Sequence, residues 1–450
     1  MAGSRMARVT DDLKSQSSIV RRATPAGRPP ASTRGAAPLA EGARVGQGAP
    51  AGRPVVLQVL PALGVGGAER GAVDVAAALV KAGGVAIVAS AGGALERELA
   101  RAGAIHVNLP LATKSPLAIR ANIARLVSVI ERYDVDIVHA RSRAPAWSAR
   151  AAARRTGAKF VTTYHGTYNE HGPLKRAYNS IMAQGDLVIA ISQHIADLIV
   201  ARYGTDPARI RLIHRGVDFE IFDPARVTPP RLIQLAQAWR LADGVPVVML
   251  PGRLTRWKGQ RVLIEALAKL GRGDLRCVLV GSDQGRTGYR RALERRIAAL
   301  KLGSVVQLVG HCADMPAAYM LSDVVVSAST DPEAFGRVAV EAQAMGRLVI
   351  ATDHGGARET VVAGETGWLV PPGDADALAK ALQEALELAV DLGKRAQMAA
   401  RAIQNVRAHF SKEAMCAATL AVYAELMAAR DGDARASVAR ARAEKAAERA

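Results

Sequence analysis

Short aliphatic runs alternate with longer alanine-rich stretches whose apolar positions recur at helical spacing, and this alternation happens twice along the chain. An unbroken apolar run of four to six residues reads as a strand covered on both faces, and the longer periodic stretch after it as a crossover helix. The first series places strands near residues 55–60, 85–89, 105–109, 136–139, 159–163, 186–190 and 210–213. The second places them near 247–250, 275–280, 305–309, 323–327, 348–352 and 367–370. Between the two series, residues 224–245 carry Pro224, Pro229 and Pro230 and no strand, which suits a linker. The predicted class is α/β, with two doubly wound Rossmann-like domains facing each other across a cleft. Residues 54–223 form the first domain and 246–405 the second, with 406–429 a helix returning to the first domain.

Composition agrees with two cores and narrows the surroundings. At 450 residues, 50% hydrophobic and 4% aromatic, the chain can bury two large aliphatic interiors and is no aromatic-rich repeat. Lys and Arg number 60 against 41 Asp and Glu, a net of +19, and only twelve of the cations are lysine. Such an excess points to anionic partners. Cys277, Cys312 and Cys416 are odd in number and far apart, so a reducing, cytoplasmic compartment is expected. No run is long and apolar enough to span a bilayer. Residues 1–53, with nine cations against Asp11, Asp12 and Glu41 among Gly, Pro, Ala and Ser, read as a disordered basic tail, and 430–450 as a charged tail.

Open parallel sheets bind ligands in the loops beyond the carboxyl ends of their strands. After the strand at 247–250 comes Pro251-Gly-Arg-Leu-Thr-Arg-Trp-Lys-Gly259, followed by a helix. Arg253 and Lys258 add two full charges to the partial positive charge of a helix N-terminus, enough to hold a diphosphate without a metal. Two solvated loop cations are the alternative. After the strand at 323–327, Glu333 and Glu341 flank Phe335 and Gly336, which open a helix whose amides can meet sugar hydroxyls or phosphate oxygens. Glu341 lies in an otherwise apolar helical stretch, so its carboxylate needs a hydrogen-bonding partner such as a ribose diol. Taken alone, the two glutamates also fit a helix cap and a solvated face.

Together these segments, Glu-x₇-Glu preceded by Gly-Arg-x₄-Lys-Gly, closely resemble the retaining glycosyltransferase family 4 of GT-B architecture. The likeness runs from about Val55 to Tyr423. It includes Gly64-Val-Gly-Gly-Ala-Glu69, Asp136-Ile-Val-His-Ala140, Thr163-Tyr-His-Gly166, Ile191-Ser192, Arg215-Gly-Val-Asp218, Gly355-Gly356 with Glu359, Gly364-x-x-Gly367 and Pro371-Pro-Gly-Asp374. The resemblance implies that Arg253 and Lys258 hold the donor diphosphate, that Glu341 binds the nucleotide ribose, and that Glu333 contacts the transferred sugar with backbone help near Phe335 and Gly336. It further implies that His165 faces the sugar from the first domain and that Gly66 and Gly67 let the first loop approach closely.

Rival readings have weaker support. Gly64-x-Gly66-x-x-Glu69 resembles a dinucleotide fingerprint, but its third glycine is replaced and no ribose-binding acid ends the second strand. Asp134 and Asp136 could pass for metal ligands, yet Asp136 opens a strand at its amino end, so no metal or other cofactor is expected. For the acceptor, residues 113–159 carry ten cations, among them Arg120, Arg125, Arg141, Arg143 and Arg154, against three acids. That charge suits an anionic membrane surface and a glycolipid or polysaccharide acceptor. No aromatic-interleaved basic stripe argues for nucleic acid. The expected protein is a cytoplasmic, peripherally membrane-bound glycosyltransferase using a UDP- or GDP-linked hexose, in lipopolysaccharide core or other envelope polysaccharide synthesis. A donor-binding scaffold without activity and a phosphorylase or epimerase on the same frame remain open.

Overall fold

The structure is a computed structural model that describes residues 53–64, 66–168 and 172–447, with side chains to residue 429. The basic tail expected over residues 1–53 therefore lies almost wholly outside the described residues. In the first domain, strands β1 (Val55–Val59), β2 (Val85–Ser90), β3 (Ile105–Asn108), β4 (Ile137–Ala140), β5 (Lys159–Tyr164), β6 (Leu187–Ala190) and β7 (Ile210–Leu212) pair in the order β3-β2-β1-β4-β5-β6-β7. In the second, β8 (Val247–Pro251), β9 (Arg276–Val280), β10 (Val306–Gly310), β11 (Val324–Ser327), β12 (Leu348–Thr352) and β13 (Trp368–Val370) pair in the order β10-β9-β8-β11-β12-β13. Each strand pairing is parallel, and the central strands β1, β8 and β12 are buried at every residue, as a sheet covered by helices on both faces demands. The strand order reverses between β1 and β4, and again between β8 and β11. Ligand crevices open at such switch points.

Asp136 has the structural role its position suggests. Its Oδ2 accepts a hydrogen bond from the Val55 amide at 2.9 Å, and its own amide donates to the Val55 carbonyl at 3.0 Å. The same device recurs where Asp186 Oδ2 receives the Phe160 amide at 2.7 Å and Asp323 Oδ2 the Val247 amide at 3.0 Å. Each aspartate stands just before a strand and satisfies an N–H at the start of the neighbouring one, that of the first residue in β1 and β8 and of the second in β5.

The segment read as a linker is partly folded: Pro229–Ala238 is a helix, opened by prolines whose missing N–H costs nothing in a first turn, and Trp239 after it is buried in the second domain. At the other end, helix Lys412–Ala447 leaves the second domain and lies on helix Gly67–Lys81 of the first. Its Met415, Cys416, Val422, Tyr423 and Leu426 join the cluster around Val56 and Ile137. Tyr423 Oη meets His139 Nδ1 at 2.6 Å, and His139 Nε2 meets Thr163 Oγ1 at 2.7 Å, so a buried imidazole ties the last helix to two central strands. Val217 of the first domain and Ser411 form a parallel bridge at the crossing.

Candidate functional site

The loops after β1, β5, β8 and β11 converge on a cavity of about 430 Å³ between the carboxyl ends of the two sheets, a size suited to a nucleotide or a sugar. Gly67, His165 and Arg215 line it from the first domain, and Arg253, Trp257, Lys258, Glu333, Phe335, Gly336 and Arg337 from the second. Four cations thus face it against the single carboxylate of Glu333.

Lys258 reaches the cavity because the chain folds back at Gly259. That residue has φ +71, and a Cβ there would lie 1.7 Å from the Ala328 carbonyl, so only glycine allows this turn to rest on the end of β11. The ammonium stands 4.4 Å over the Trp257 ring and forms an ion pair with Glu333. Glu333 also accepts from Ser329 Oγ at 2.6 Å. Both charged side chains are largely withdrawn from water, at 15% and 13% exposure. Arg253 sits exposed at the rim, its guanidinium making no hydrogen bond to a described residue, while its carbonyl accepts from Gln260 Nε2 at 2.9 Å.

Glu341 is placed differently from the sequence expectation. It does not line the cavity, and the protein itself supplies partners for it: Tyr319 Oη donates to one oxygen at 2.9 Å and Arg337 Nη2 to the other at 2.6 Å. Burial of this carboxylate therefore does not by itself call for a ribose. Burial and the adjacent Glu341 charge push the Tyr319 phenol well above its usual pKa, which keeps it a hydrogen-bond donor.

Phe335 sends its ring into the first domain, where it is 3% exposed and lies 6.1 Å from His214 and 5.6 Å from Phe410 between ring centroids. Gly336, with φ +92, then starts helix Arg337–Ala344 at the cavity wall. On the opposite wall Arg337 and Arg215 crowd Gly67, whose carbonyl accepts from Arg215. Gly66 does not line the cavity; its near neighbour is the Glu69 carboxylate.

His165 lines the cavity and its buried Nε2 has no hydrogen-bond partner among the described residues. Burial, followed by the charges of Arg215 and Arg141, holds its pKa well below 6.5, so the ring is neutral at physiological pH. A neutral imidazole offers a sugar hydroxyl one donor and one acceptor. Arg215 is buried as well, and desolvation with the like charges of Arg337 and Arg141 pulls its pKa down to about 9.

Of the cavity cations, Arg215 opens the motif Arg215-Gly-Val-Asp218 and Arg337 stands inside Glu-x₇-Glu, and the sequence assigns neither a role. The position of Arg215 just beyond β7 was the available signal. The charge count treats Arg141 and Arg143 as surface cations. Arg141 is instead buried, donating to Gln58 Oε1 at 2.5 Å, and Arg143 lies 4.0 Å over the Tyr168 ring while donating to Asn179 at 2.7 Å.

Comparison with known proteins matches this architecture. Residues 65–221 match the family described as Glycosyltransferase Family 4, and residues 234–407 that described as Glycosyl transferases group 1. A solved glycosyltransferase from Rickettsia africae ESF-5 is 39% identical, with TM-score 0.77 over 84% of this chain and 99% of its own. HepE of Anabaena, solved in complex with UDP and glucose, is 26% identical, with TM-score 0.72 over 83% of this chain and 100% of its own. D-inositol 3-phosphate glycosyltransferase 1 of Catenulispora acidiphila is 32% identical over 262 residues, 53% of this chain and 60% of that protein, so the chain spans less than two thirds of that relative's length. The fold is that of a GT-B glycosyltransferase. Within that class, the chain belongs to glycosyltransferase family 4.

The neutral His165 has a consequence for stability. Its ring resists protonation in the fold but accepts a proton freely once unfolded, so below its ordinary pKa of 6.5 the unfolded chain binds more protons. Its contribution is therefore full above that pH and declines on acidification. Urea unfolding of His165→Asn from about pH 7.5 to about pH 5.5 is expected to lose stability less steeply than the parent protein, and equal slopes would contradict the assignment.

Proposed function

We propose that this protein transfers a hexosyl unit from a nucleotide sugar, UDP- or GDP-linked, to a membrane-associated glycan, with retention at the anomeric carbon. The observation that carries the reading is the cavity at two facing switch points, with four cations and one carboxylate on its walls. Arg253 and Lys258 hold the donor diphosphate, assisted by the amides at Phe335 and Gly336, by Arg337 on the same wall and by Arg215 across the gap. Charge builds on the departing diphosphate in the transition state, and preorganised cations stabilise it there without a metal ion. The UDP and glucose bound to HepE, a protein of the same fold, support a donor of this chemistry.

Glu333 and the neutral His165 grip hydroxyls of the transferred sugar from opposite sides. Lys258 and Ser329 both bind Glu333 Oε1, which leaves Oε2 for a sugar hydroxyl, and pairing with the ammonium weakens the carboxylate as a nucleophile, so the acceptor attacks on the face from which the diphosphate departs. The ribose runs past Arg337, beyond the residues that line the cavity, to Glu341, which takes it through the lone pairs that Tyr319 and Arg337 leave open. Gly66 and Gly67 form the loop under which the donor passes.

The acceptor reading rests on the rim of the first domain. Leu117 and Leu174 are 81% and 88% exposed, each beside a proline that opens a helix following a strand. Exposed Lys114 and Arg120 flank the first, and exposed Lys175 and Arg176 the second. Apolar tips set among cations suit an anionic lipid surface and hence a lipid-linked glycan, in lipopolysaccharide core or another envelope polysaccharide. The proposed attachment is peripheral, on the cytoplasmic face, and among the described residues no helix is long and apolar enough to cross a membrane.

Product analysis with UDP- and GDP-hexoses over a glycolipid extract tests the activity. Transfer with release of the nucleoside diphosphate is expected. Affinity without turnover would favour a scaffold, and free sugar phosphate or an epimer would favour the other enzymes of this frame. Lys258→Ala should lower the transfer rate about thirty- to a thousandfold, or about 2–4 kcal/mol, and unchanged turnover would refute its role. Replacing Leu117 and Leu174 together by Ser should weaken cosedimentation with phosphatidylglycerol-containing vesicles about fivefold or more, with no loss of donor binding. Equal vesicle binding would remove this surface from the account.

A further inference from the structure

The Gly355-Gly356-Ala357-Arg358-Glu359 segment carries no role in the site described above, yet it joins the two domains. Glu359 belongs to the second domain, and its carboxylate is 19% exposed. Its partners all belong to the first: the Gln193 amide at 2.7 Å, the His194 amide at 2.9 Å and His214 Nε2 at 3.0 Å. Gln193 and His194 open helix Gln193–Tyr203, whose own cap, Ser192, serves only the Ile195 amide. A carboxylate from the other domain thus fills the next two open donors, at the end of the helix where negative charge is favoured. These three bonds hold the Glu359 carboxyl below its ordinary range although burial opposes them.

The same turn supports the donor loop. Gly355 has φ +58, and a Cβ there would lie 2.5 Å from the Glu333 carbonyl; the Gly356 amide donates to that carbonyl at 2.8 Å. The loop is bound to the first domain alongside Glu359. Ser192 Oγ donates to the Ala334 carbonyl at 2.6 Å and Thr167 Oγ1 to the Pro332 carbonyl at 3.3 Å, while Phe335 packs with His214 and Phe410. His214 therefore touches both the brace and the ring beside Glu333.

We propose that Glu359 is a positioning residue: by capping the first-domain helix Gln193–Tyr203 from the second domain, it fixes the Glu333–Gly336 loop opposite His165 and sets the cleft for transfer instead of donor hydrolysis. This rests on the glycosyl-transfer reading above, while the docking itself stands independently of it. A loosened brace leaves Arg253, Lys258 and Arg337 in place on the second domain but lets the two walls, Arg215 on the other, drift apart. A drift of about 1 Å is enough to cost on the order of a hundredfold in rate. The same drift admits water.

Two measurements separate the docking from the chemistry. In Glu359→Gln the Gln193 and His194 amides should exchange hydrogen about tenfold faster or more, because their charged acceptor from the other domain is gone. Transfer kcat should fall about tenfold or more and the hydrolysed share of donor should rise, while nucleoside diphosphate affinity stays within about threefold. His214→Phe keeps the ring contacts and removes one bond to Glu359; alone it should act in the same direction, and added to Glu359→Gln it should cost little more. Unchanged amide exchange would overturn the brace whether or not any donor is turned over. A kcat loss that tracks lost thermal stability and lost nucleotide affinity, with no shift toward hydrolysis, would overturn the positioning role. Additive losses in the double variant would overturn the coupling through His214.

Discussion

At the base of the cleft an ammonium and a carboxylate, both mostly withdrawn from water, are held against each other: Lys258 and Glu333. Either one alone would carry an uncompensated desolvation cost of several kcal/mol, so each depends on the other being in place. Their attraction says little about overall stability. It says much about geometry, because the partners come from different crossovers, Lys258 beyond β8 and Glu333 beyond β11, separated by 75 residues. Those strands are neighbours only because the sheet order reverses between them. The ion pair is thus a product of the switch point, and a diphosphate entering the cavity meets a lysine already held at its wall.

The opposite wall adds to the same field by different means. Arg215 and Arg141 are buried behind the glycine loop, with Asp74 and Cys416 acting on both, and burial there pushes the Asp74 carboxyl up. Cations kept in low-dielectric surroundings act strongly on charge placed in the cavity. The last helix packs behind them: its Tyr423 bonds His139 and acts on Arg141, and its Lys412 pairs with Asp218 at 2.7 Å. A segment more than 280 residues from β4 in sequence therefore helps set the electrostatics of the first-domain wall.

Much of this was legible in the chain. Every expected strand lies within a residue or so of an observed one, because strands buried on both faces leave unbroken apolar runs that little else produces. The loop rule for parallel sheets placed Arg253, Lys258 and Glu333 where strands end, the family resemblance added His165, and one cavity gathers them. Glu341 shows the limit of that reasoning. Its buried carboxylate required a partner, but spacing could not reveal that Tyr319, on a helix before β11, and Arg337, one turn away, would provide it. Charge counting erred in a related way over Arg141, since composition records the guanidinium and not the Gln58 beneath it. Glu359 and its partners lie 145 to 166 residues apart and meet only across the domain boundary, which no local pattern encodes.

The central claim is that the second-domain wall recognises a diphosphate through Lys258. Calorimetry with a nucleoside diphosphate and the monophosphate of the same base, on the parent protein and on Lys258→Ala, tests it most directly. The account predicts that the parent prefers the diphosphate by about tenfold or more, and that the variant loses this preference while its affinity for the monophosphate holds. Equal binding of the two nucleotides by the parent, or a preference that survives removal of the lysine, would contradict it.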